Sequence, residues 1–207
     1  MTTFFRDTFG GSGEFNGHSP DVGLPGGGTW SCTPGFLTTS GGKLGNSSGS
    51  FGDATYITAT PGEPTFAFTF DWVCPTTIVN DRTWDLVLGG VIGTETSHEI
   101  VWSEKTSGPQ AGVKARSLPA GLDGGYFLGS ITAGATYPGR IIVLPDSVRA
   151  EMFGQVSTYT MPGTSTARLA QIYLALPSSA DGGFRNLQFS DDGLIFWTGF
   201  INSHEVP

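Results

Sequence analysis

The sequence is poor in charged residues and contains no long hydrophobic run. Asp, Glu, Lys and Arg together make up 14% of the chain, and the net charge is -8. The ten basic residues are scattered, which argues against nucleic-acid binding and against docking on an anionic membrane, because both need grouped cations. No stretch approaches the length of a membrane span, and the N-terminus lacks the basic and apolar regions of a signal peptide. We therefore expect folding in a cytoplasm, without membrane insertion or a nucleic-acid partner.

Cysteine is scarce as well, since Cys32 and Cys74 are the only two. We expect two buried free thiols, with a disulfide as the alternative. Two distant cysteines and three scattered histidines do not make a tetrahedral zinc set. No cofactor is expected. Calcium stays open, because residues 80–85, 123–125 and 191–193 carry Asp or Asn near turns, although Asp-Gly is first a turn signal.

Helical periodicity is nearly absent, and alternation with period two takes its place. Phe66, Phe68, Phe70 and Trp72 are separated by small or polar residues, so a strand would carry four aromatics on one face. The segment 166–176 is the best helix candidate, but it lacks caps and ends at a proline, so we predict a strand. The 32 glycines and 13 prolines show no collagen period and are typical of turns between many short strands.

These patterns predict an all-β fold, a two-sheet antiparallel β-sandwich that forms one domain over residues 1–207. A tight hairpin is expected at Phe153-Gly154, because glycine permits the positive φ that such turns need. The segments 4–9 and 196–201 are both apolar, and we expect them to pair in one sheet. Residues 10–52 are Gly-rich and predict loops with short strands near 29–30 and 35–39. Further strands are predicted at 84–88, 99–102, 126–131, 140–144, 147–152, 155–160, 184–190 and 194–201.

The opening of the chain carries a motif. Residues 5–11 read FRDTFGG, residues 18–23 read HSPDVG, and Thr29-Trp30 follow. This opening resembles that of concanavalin A-like (laminin-G-like) jelly-roll modules of tailed-phage virion proteins, and residues 184–191 resemble their closing strand. The resemblance implies a two-sheet sandwich located in a virion, with a ligand-free hairpin near Gly154. It does not imply one activity, because the superfold carries lectins, glycanases and structural modules.

The same motif can be interpreted from its residues alone. Asp7 and Asp21 can each accept hydrogen bonds from backbone N–H groups in the turns that follow them. Trp30 would anchor the loop to the core. Because polar loop residues mostly satisfy backbone groups, we expect residues 18–21 to form a folded loop rather than a binding site.

Catalytic patterns are missing. Glycan hydrolysis needs two carboxylates flanking the scissile bond, and Glu99 and Glu104 are the nearest local pair. They are five residues apart, so a regular strand directs them to opposite faces. No Gly-x-Ser-x-Gly elbow occurs, and His18, His98 and His204 have no partner in the local sequence. The chain is therefore predicted not to be an enzyme.

Three functions remain open. The first is a structural protein of a tailed-phage virion, such as a capsid decoration, head fibre or minor tail component, whose partners are other virion proteins and copies of itself. Its expected docking surfaces are the Gly-rich first third and residues 202–207. The second is a glycan-binding adhesin on the virion surface, and a glycan hydrolase is the third. Aromatics that could contact a glycan or partner, although each is more often a core residue, are Trp102, Tyr126, Tyr137, Tyr159 and Trp197.

Overall fold

The computed structural model describes residues 3–24, 26–57, 66–79, 82–89, 97–104, 110–116, 127–128, 131–144, 147–160, 171–178 and 181–190. Over these residues the chain forms sixteen strands and no helix. In chain order the strands are β1 (Thr3–Asp7), β2 (Gly13–Glu14), β3 (Ser31–Cys32), β4 (Leu37–Thr39), β5 (Leu44–Asn46), β6 (Gly52–Ile57), β7 (Phe66–Val73), β8 (Arg82–Gly89), β9 (Ser97–Glu104), β10 (Gln110–Arg116), β11 (Phe127–Leu128), β12 (Thr136–Val143), β13 (Ser147–Met152), β14 (Gln155–Thr160), β15 (Gln171–Leu176) and β16 (Gly183–Ser190).

The strands form two antiparallel sheets. A nine-stranded sheet has the order β14-β13-β12-β7-β16-β5-β4-β2, with β1 paired to β16 beside this path. A seven-stranded sheet has the order β11-β10-β9-β8-β15-β6-β3. The all-β, two-sheet antiparallel sandwich is thus confirmed. In the described part of the chain, no helix has the length and hydropathy needed to cross a membrane.

Alternation along β7 and β8 builds the core between the sheets. Phe68, Phe70 and Trp72 of β7 are buried, while Thr69 between them is exposed. The prediction of an aromatic face on β7 is confirmed for these three residues. The structure does not describe the side chain of Phe66. In the facing sheet Trp84, Leu86 and Leu88 of β8 belong to the core cluster, whereas Val87 is buried outside it.

The two sheets meet through aromatic contacts. Phe70 of β7 stacks on Trp102 of β9, with ring centroids 5.7 Å apart. Phe184 of β16 makes edge contacts with both Trp84 and Trp102. Nearer the N-terminus, a second group of rings packs in the same core cluster: Phe5, Phe9, Phe15, Trp30 and Tyr56.

In the described part of the chain the N-terminal strand pairs with β16. β1 pairs antiparallel with β16, Asp7 lying opposite Leu187 and Thr3 opposite Ser190. The N-terminal strand therefore lies in the nine-stranded sheet. The partner expected for it, residues 196–201, lies outside the described residues, as does the turn at 191–193.

The predicted hairpin is confirmed. β13 and β14 pair from Ser147–Thr160 to Met152–Gln155, and Phe153 and Gly154 form the turn with φ of 55° and 71°. Two successive positive φ values are the signature of a tight turn that matches strand twist. Short strands also occur in the Gly-rich region, although the one expected at 29–30 lies at Ser31–Cys32.

Both cysteines are free thiols. Cys74 is buried and Cys32 is partly buried. Burial raises the pKa of each thiol to about 11, which suppresses the nucleophilic thiolate at neutral pH.

Candidate functional site

The opening motif folds around the buried carboxylate of Asp7. It accepts hydrogen bonds from the Phe9 backbone N–H at 2.7 Å and from Trp30 Nε1 at 2.7 Å. His18 Nε2 lies 3.1 Å from the same carboxylate, and its ring stacks on Phe15. Burial raises the pKa of Asp7, while these bonds act in the opposite direction.

Asp21 lies at the exposed side of the motif and bonds the segment that follows β1. Its carboxylate accepts hydrogen bonds from the Thr8 hydroxyl at 2.7 Å and the Thr8 backbone N–H at 2.9 Å. The bound backbone precedes Asp21 by 13 residues, so the expectation of a bond to the turn that follows it is wrong. Together Asp7 and Asp21 link β1 to the loop at 15–24, which makes the motif a structural cross-link.

Glu104 is a second buried carboxylate. It accepts hydrogen bonds from Trp84 Nε1 at 2.8 Å and the Val79 backbone N–H at 3.0 Å, and Arg82 lies 3.6 Å away. These contacts occupy Glu104 inside the sandwich, at the end of β9. The side chain of Glu99 lies outside the description.

A concave groove lies on the outer face of the nine-stranded sheet, opposite the core. It encloses about 620 Å³ and crosses five neighbouring strands, from β14 to β16. The strand registers place four polar side chains in one row across it, Gln188, Thr69, Arg140 and Glu151, and the apolar Val156 ends the row. Each of the four polar residues lies between buried neighbours, which is why the row faces away from the core.

Charged side chains in the groove are held by their neighbours. Arg149 Nε lies 2.9 Å from Glu151 Oε1, two residues along β13. Asn186 Nδ2 donates to Asp71 Oδ2 at 2.7 Å, across from β16 to β7. These contacts order planar polar groups before any ligand arrives.

A β-bulge in β16 positions the amide of Asn186. The register with β7 shifts between Arg185 and Gln188, and Asn186 has a φ of 51°. Asparagine tolerates this left-handed conformation better than most residues. The bulge turns the exposed side chain toward the groove wall formed by Asp71.

A smaller recess of about 180 Å³ lies on the same face beyond β16. Its wall includes Lys43 and Asp181, and the Lys43 ammonium donates to the Asp181 backbone carbonyl. Burial lowers the pKa of Lys43. Burial would raise the pKa of Asp181, but hydrogen bonds from the Thr76 hydroxyl and backbone N–H outweigh it and hold that pKa below its ordinary value.

Of the aromatics proposed from the sequence, Trp102 and Tyr137 have described side chains, and neither lines this groove. Trp102 is 1% exposed and packs in the core. Tyr137 is partly buried, and its hydroxyl accepts a hydrogen bond from the Thr132 backbone N–H at 2.6 Å. Tyr159 lies on β14, where its side chain is outside the description. Tyr126 and Trp197 also lie outside the described residues.

Sequence reasoning missed the polar groove residues. Attention to Phe68, Phe70 and Trp72 left Thr69 and Asp71, which alternate with them, unexamined. The same alternation places Arg149 and Glu151 on one face of β13. A search for polar residues on the reverse face of each aromatic strand would have found them.

The described residues hold no group of three or more His, Cys, Asp or Glu side chains able to bind a metal ion. The calcium candidates at 80–81, 123–125 and 191–193 lie outside the described residues. Asp85 is described and buried.

Comparisons with known proteins place the fold. No family model and no curated protein matches the sequence. Among solved structures, the CBM2 module of the evolved Dit of Lactobacillus casei BL23 phage J-1 is similar with a TM-score of 0.62 and 11% identity, over 90% of this chain and 94% of that one. The carbohydrate binding module CBM66 from Bacillus subtilis gives a TM-score of 0.57 and 12% identity, over 81% and 96%. The globular domain of T. cruzi calreticulin gives 0.61 and 9%, over 95% and 91%.

The class defined by these likenesses is a concanavalin A-like, jelly-roll β-sandwich. At identities of 9 to 12% the likeness shows the fold alone. The fold has carbohydrate-binding modules among its members, one of them from a phage.

Proposed function

We propose that this protein is a non-catalytic glycan-binding module whose ligand lies in the groove across β14 to β16. The observation that carries the proposal is the row of ordered, planar polar side chains on a concave sheet face. Guanidinium, carboxylate and amide groups each present two polar atoms in one plane, which suits the adjacent hydroxyls of a sugar ring.

Apolar contacts complete the groove. Val156 is 50% exposed and ends the polar row at β14, and Pro138 also lines the groove. A pyranose ring has apolar C–H faces as well as hydroxyls, so a surface that mixes both kinds of contact fits it. No aromatic ring stands exposed among the described residues that line this groove, so we expect modest affinity from a single site.

Two of the similar solved structures support this proposal. Both are named as carbohydrate-binding modules, and each is covered over more than nine-tenths of its length. This chain thus spans the whole of such a module.

A location in a tailed-phage virion is the second part of the proposal. It is supported by the resemblance of residues 5–11 and 18–23 to virion modules and by the likeness to a phage Dit module. In that setting other virion proteins and copies of the same chain would be its partners. If no glycan is bound, the protein would act through these protein–protein contacts alone. Mass spectrometry of purified particles should detect the protein, and its absence from every particle would reject this location.

We propose that the groove binds without catalysis. Asp71 and Glu151 are its two carboxylates, and each is occupied by a donor, Asn186 and Arg149 respectively. They lie on β7 and β13, two strand spacings or about 10 Å apart, plus an offset along the strands. Glycosidase carboxylates stand about 5 to 9.5 Å apart. Release of reducing ends from any glycan that binds would overturn this point.

The groove is tested by a glycan array followed by titration calorimetry of the best hit. Asn186→Gly keeps the backbone conformation but removes the amide, and Gln188→Ala removes a second polar group. Each should weaken binding by about tenfold, the effect of one lost hydrogen-bonding group worth about 1.4 kcal/mol.

The matched control is Asp53→Asn, an exposed position on β6 of the other sheet, which should leave affinity unchanged. An array without hits, or variants that bind like the parent protein, would reject the groove as a glycan site.

A further inference from the structure

We infer that the ligand is an acidic polysaccharide, whose carboxylate or phosphate groups are bound by Arg185 and its cationic neighbours on the outer face of the nine-stranded sheet. The inference rests on the proposed glycan-binding function and specifies its substrate class.

Basic residues are concentrated on the outer face of the nine-stranded sheet. Eight of the ten Lys and Arg residues are described, and five of these lie on this face or at its border. Five acidic residues accompany them, namely Glu14, Asp21, Asp71, Glu151 and Asp181, so this face is close to neutral while the whole chain carries -8. The five basic residues are Arg6, Lys43, Arg140, Arg149 and Arg185. Half of the ten cations thus lie on this face, and two of them, Arg140 and Arg149, line the groove.

Arg185 occupies the centre of this face. It lies opposite Asp71 of β7, and the pairing of Phe184 with Leu44 sets Lys43 on its other side. Arg185 therefore stands between the large groove and the smaller recess.

The guanidinium of Arg185 is incompletely satisfied. Its Nε is buried and has no hydrogen-bond partner in the described structure. An unmet donor on a charged group is costly, and an anionic oxygen is the acceptor that satisfies it best. Because that atom is buried, a ligand carboxylate or phosphate lying over β16 would bond to it after the Arg185 side chain turns outward.

The length of the face indicates a polymer. The groove and the recess together extend from β14 to β4, which is seven strands and six spacings. At about 4.8 Å per spacing the path is about 29 Å long. That distance exceeds one sugar, so an internal stretch of a chain would lie across the strands.

The experiment measures binding of the full chain to three soluble polymers by biolayer interferometry. Polygalacturonate supplies carboxylates, poly(glycerol phosphate) supplies phosphates, and dextran is the uncharged reference. We expect at least one charged polymer to bind about tenfold or more tightly than dextran, and its affinity to fall as NaCl rises from about 50 to 500 mM. The charged polymer that binds better identifies the anion.

Arg185→Gln should reduce binding of the charged polymer by about fivefold or more, and Arg185→Lys should recover part of the loss because it restores charge without the planar fork. Lys114→Gln, which removes one positive charge from β10 of the other sheet, is the matched control and should bind like the parent protein. Thermal melts of all three variants establish that they fold.

Two results would overturn the inference. Equal, salt-independent binding of dextran and the charged polymers, with Arg185→Gln unaffected, would refute an acidic ligand and leave the groove proposal intact. Affinity for galacturonic acid monomer equal to that for the polymer, per site, would refute the extended path. Failure of every glycan on the array and every polymer would overturn the proposed function as well.

Discussion

At the scale of single residues, buried polar groups in this sandwich are tied to backbone and indole N–H donors. Asp7 holds Trp30, and Glu104 holds Trp84, by bonds of 2.7 and 2.8 Å. Asn46 begins an Asn-x-Ser sequon, yet it is 4% exposed and donates to the carbonyls of Ser50, Leu176 and Pro177. Each group offsets its loss of hydration through these bonds, and the sequon has a structural role.

The pH dependence of stability should reveal the bond between Asp21 and Thr8. Hydrogen bonding by the Thr8 hydroxyl, the largest cause, holds the pKa of Asp21 below its ordinary value of 3.8, with Arg6 adding a smaller effect. A lowered folded-state pKa means that the contribution is present above the unfolded pKa and is lost as pH falls through the folded one. Asp21→Asn should therefore be less stable than the parent above about pH 5, and the difference should shrink as the pH falls through the lowered pKa of Asp21.

Urea denaturation at several pH values measures this difference. A stability gap that stays constant down to the acid limit would show that the Asp21 charge contributes nothing to the gap. The opposite direction is expected for Asp7, since burial raises its pKa and its protonation favours the folded state between the two pKa values.

At the scale of elements, one strand serves both the core and the groove. β7 buries Phe70 and Trp72 on one face and presents Thr69 and Asp71 on the other. The Phe70 ring lies over Gly139 of β12, which pairs with it, and a Cβ at that glycine would overlap the ring. The absence of a side chain at Gly139 therefore keeps both the core and the groove floor in place.

Gly139→Ala should destabilise the fold by about 2 kcal/mol, because Phe70 must leave its position in a close-packed core. Gly28→Ala is the control, since a Cβ there meets nothing within 4 Å. Chemical denaturation followed by tryptophan fluorescence compares the two. Equal stability of Gly139→Ala and Gly28→Ala would show that Phe70 moves without cost.

At the scale of the whole molecule, residues from both sheets form one core cluster. Rings of the N-terminal group reach β7 through Phe5 and Phe68, whose centroids are 6.5 Å apart. The rings around Trp72 and Trp102 continue the cluster from the same strand. Because β7 is shared, loss of one group of rings exposes the other.

Unfolding should consequently be a single cooperative transition. Trp30, Trp72, Trp84 and Trp102 are all buried, so their fluorescence reports on both groups of rings. Midpoints in urea measured by fluorescence and by far-ultraviolet circular dichroism should coincide. Two separated transitions would show that the N-terminal third unfolds independently and would contradict the expected single domain over 1–207.

More of the fold than of the candidate site could be predicted from the sequence. Alternation fixes which side of a strand is buried, so Phe68, Phe70 and Trp72 could be assigned to the core, and Phe153-Gly154 to a turn. The groove was hidden because Asp71, Asn186 and Arg149 lie on three strands that are distant in sequence. Nothing local indicates that β16 inserts beside β7, and that pairing brings Asn186 to Asp71.

What the sequence by itself determined is the local pattern: strands with one apolar face, separated by glycine and proline turns, and a small surplus of negative charge. These depend on side-chain periodicity and backbone sterics, which act over a few residues. What only the tertiary structure decided is the order of strands in each sheet. Many apolar strands could pair with one another, and packing of the whole core selects one set of pairings. That order brings Arg140, Arg149 and Arg185 onto one face of the nine-stranded sheet, where the candidate site lies.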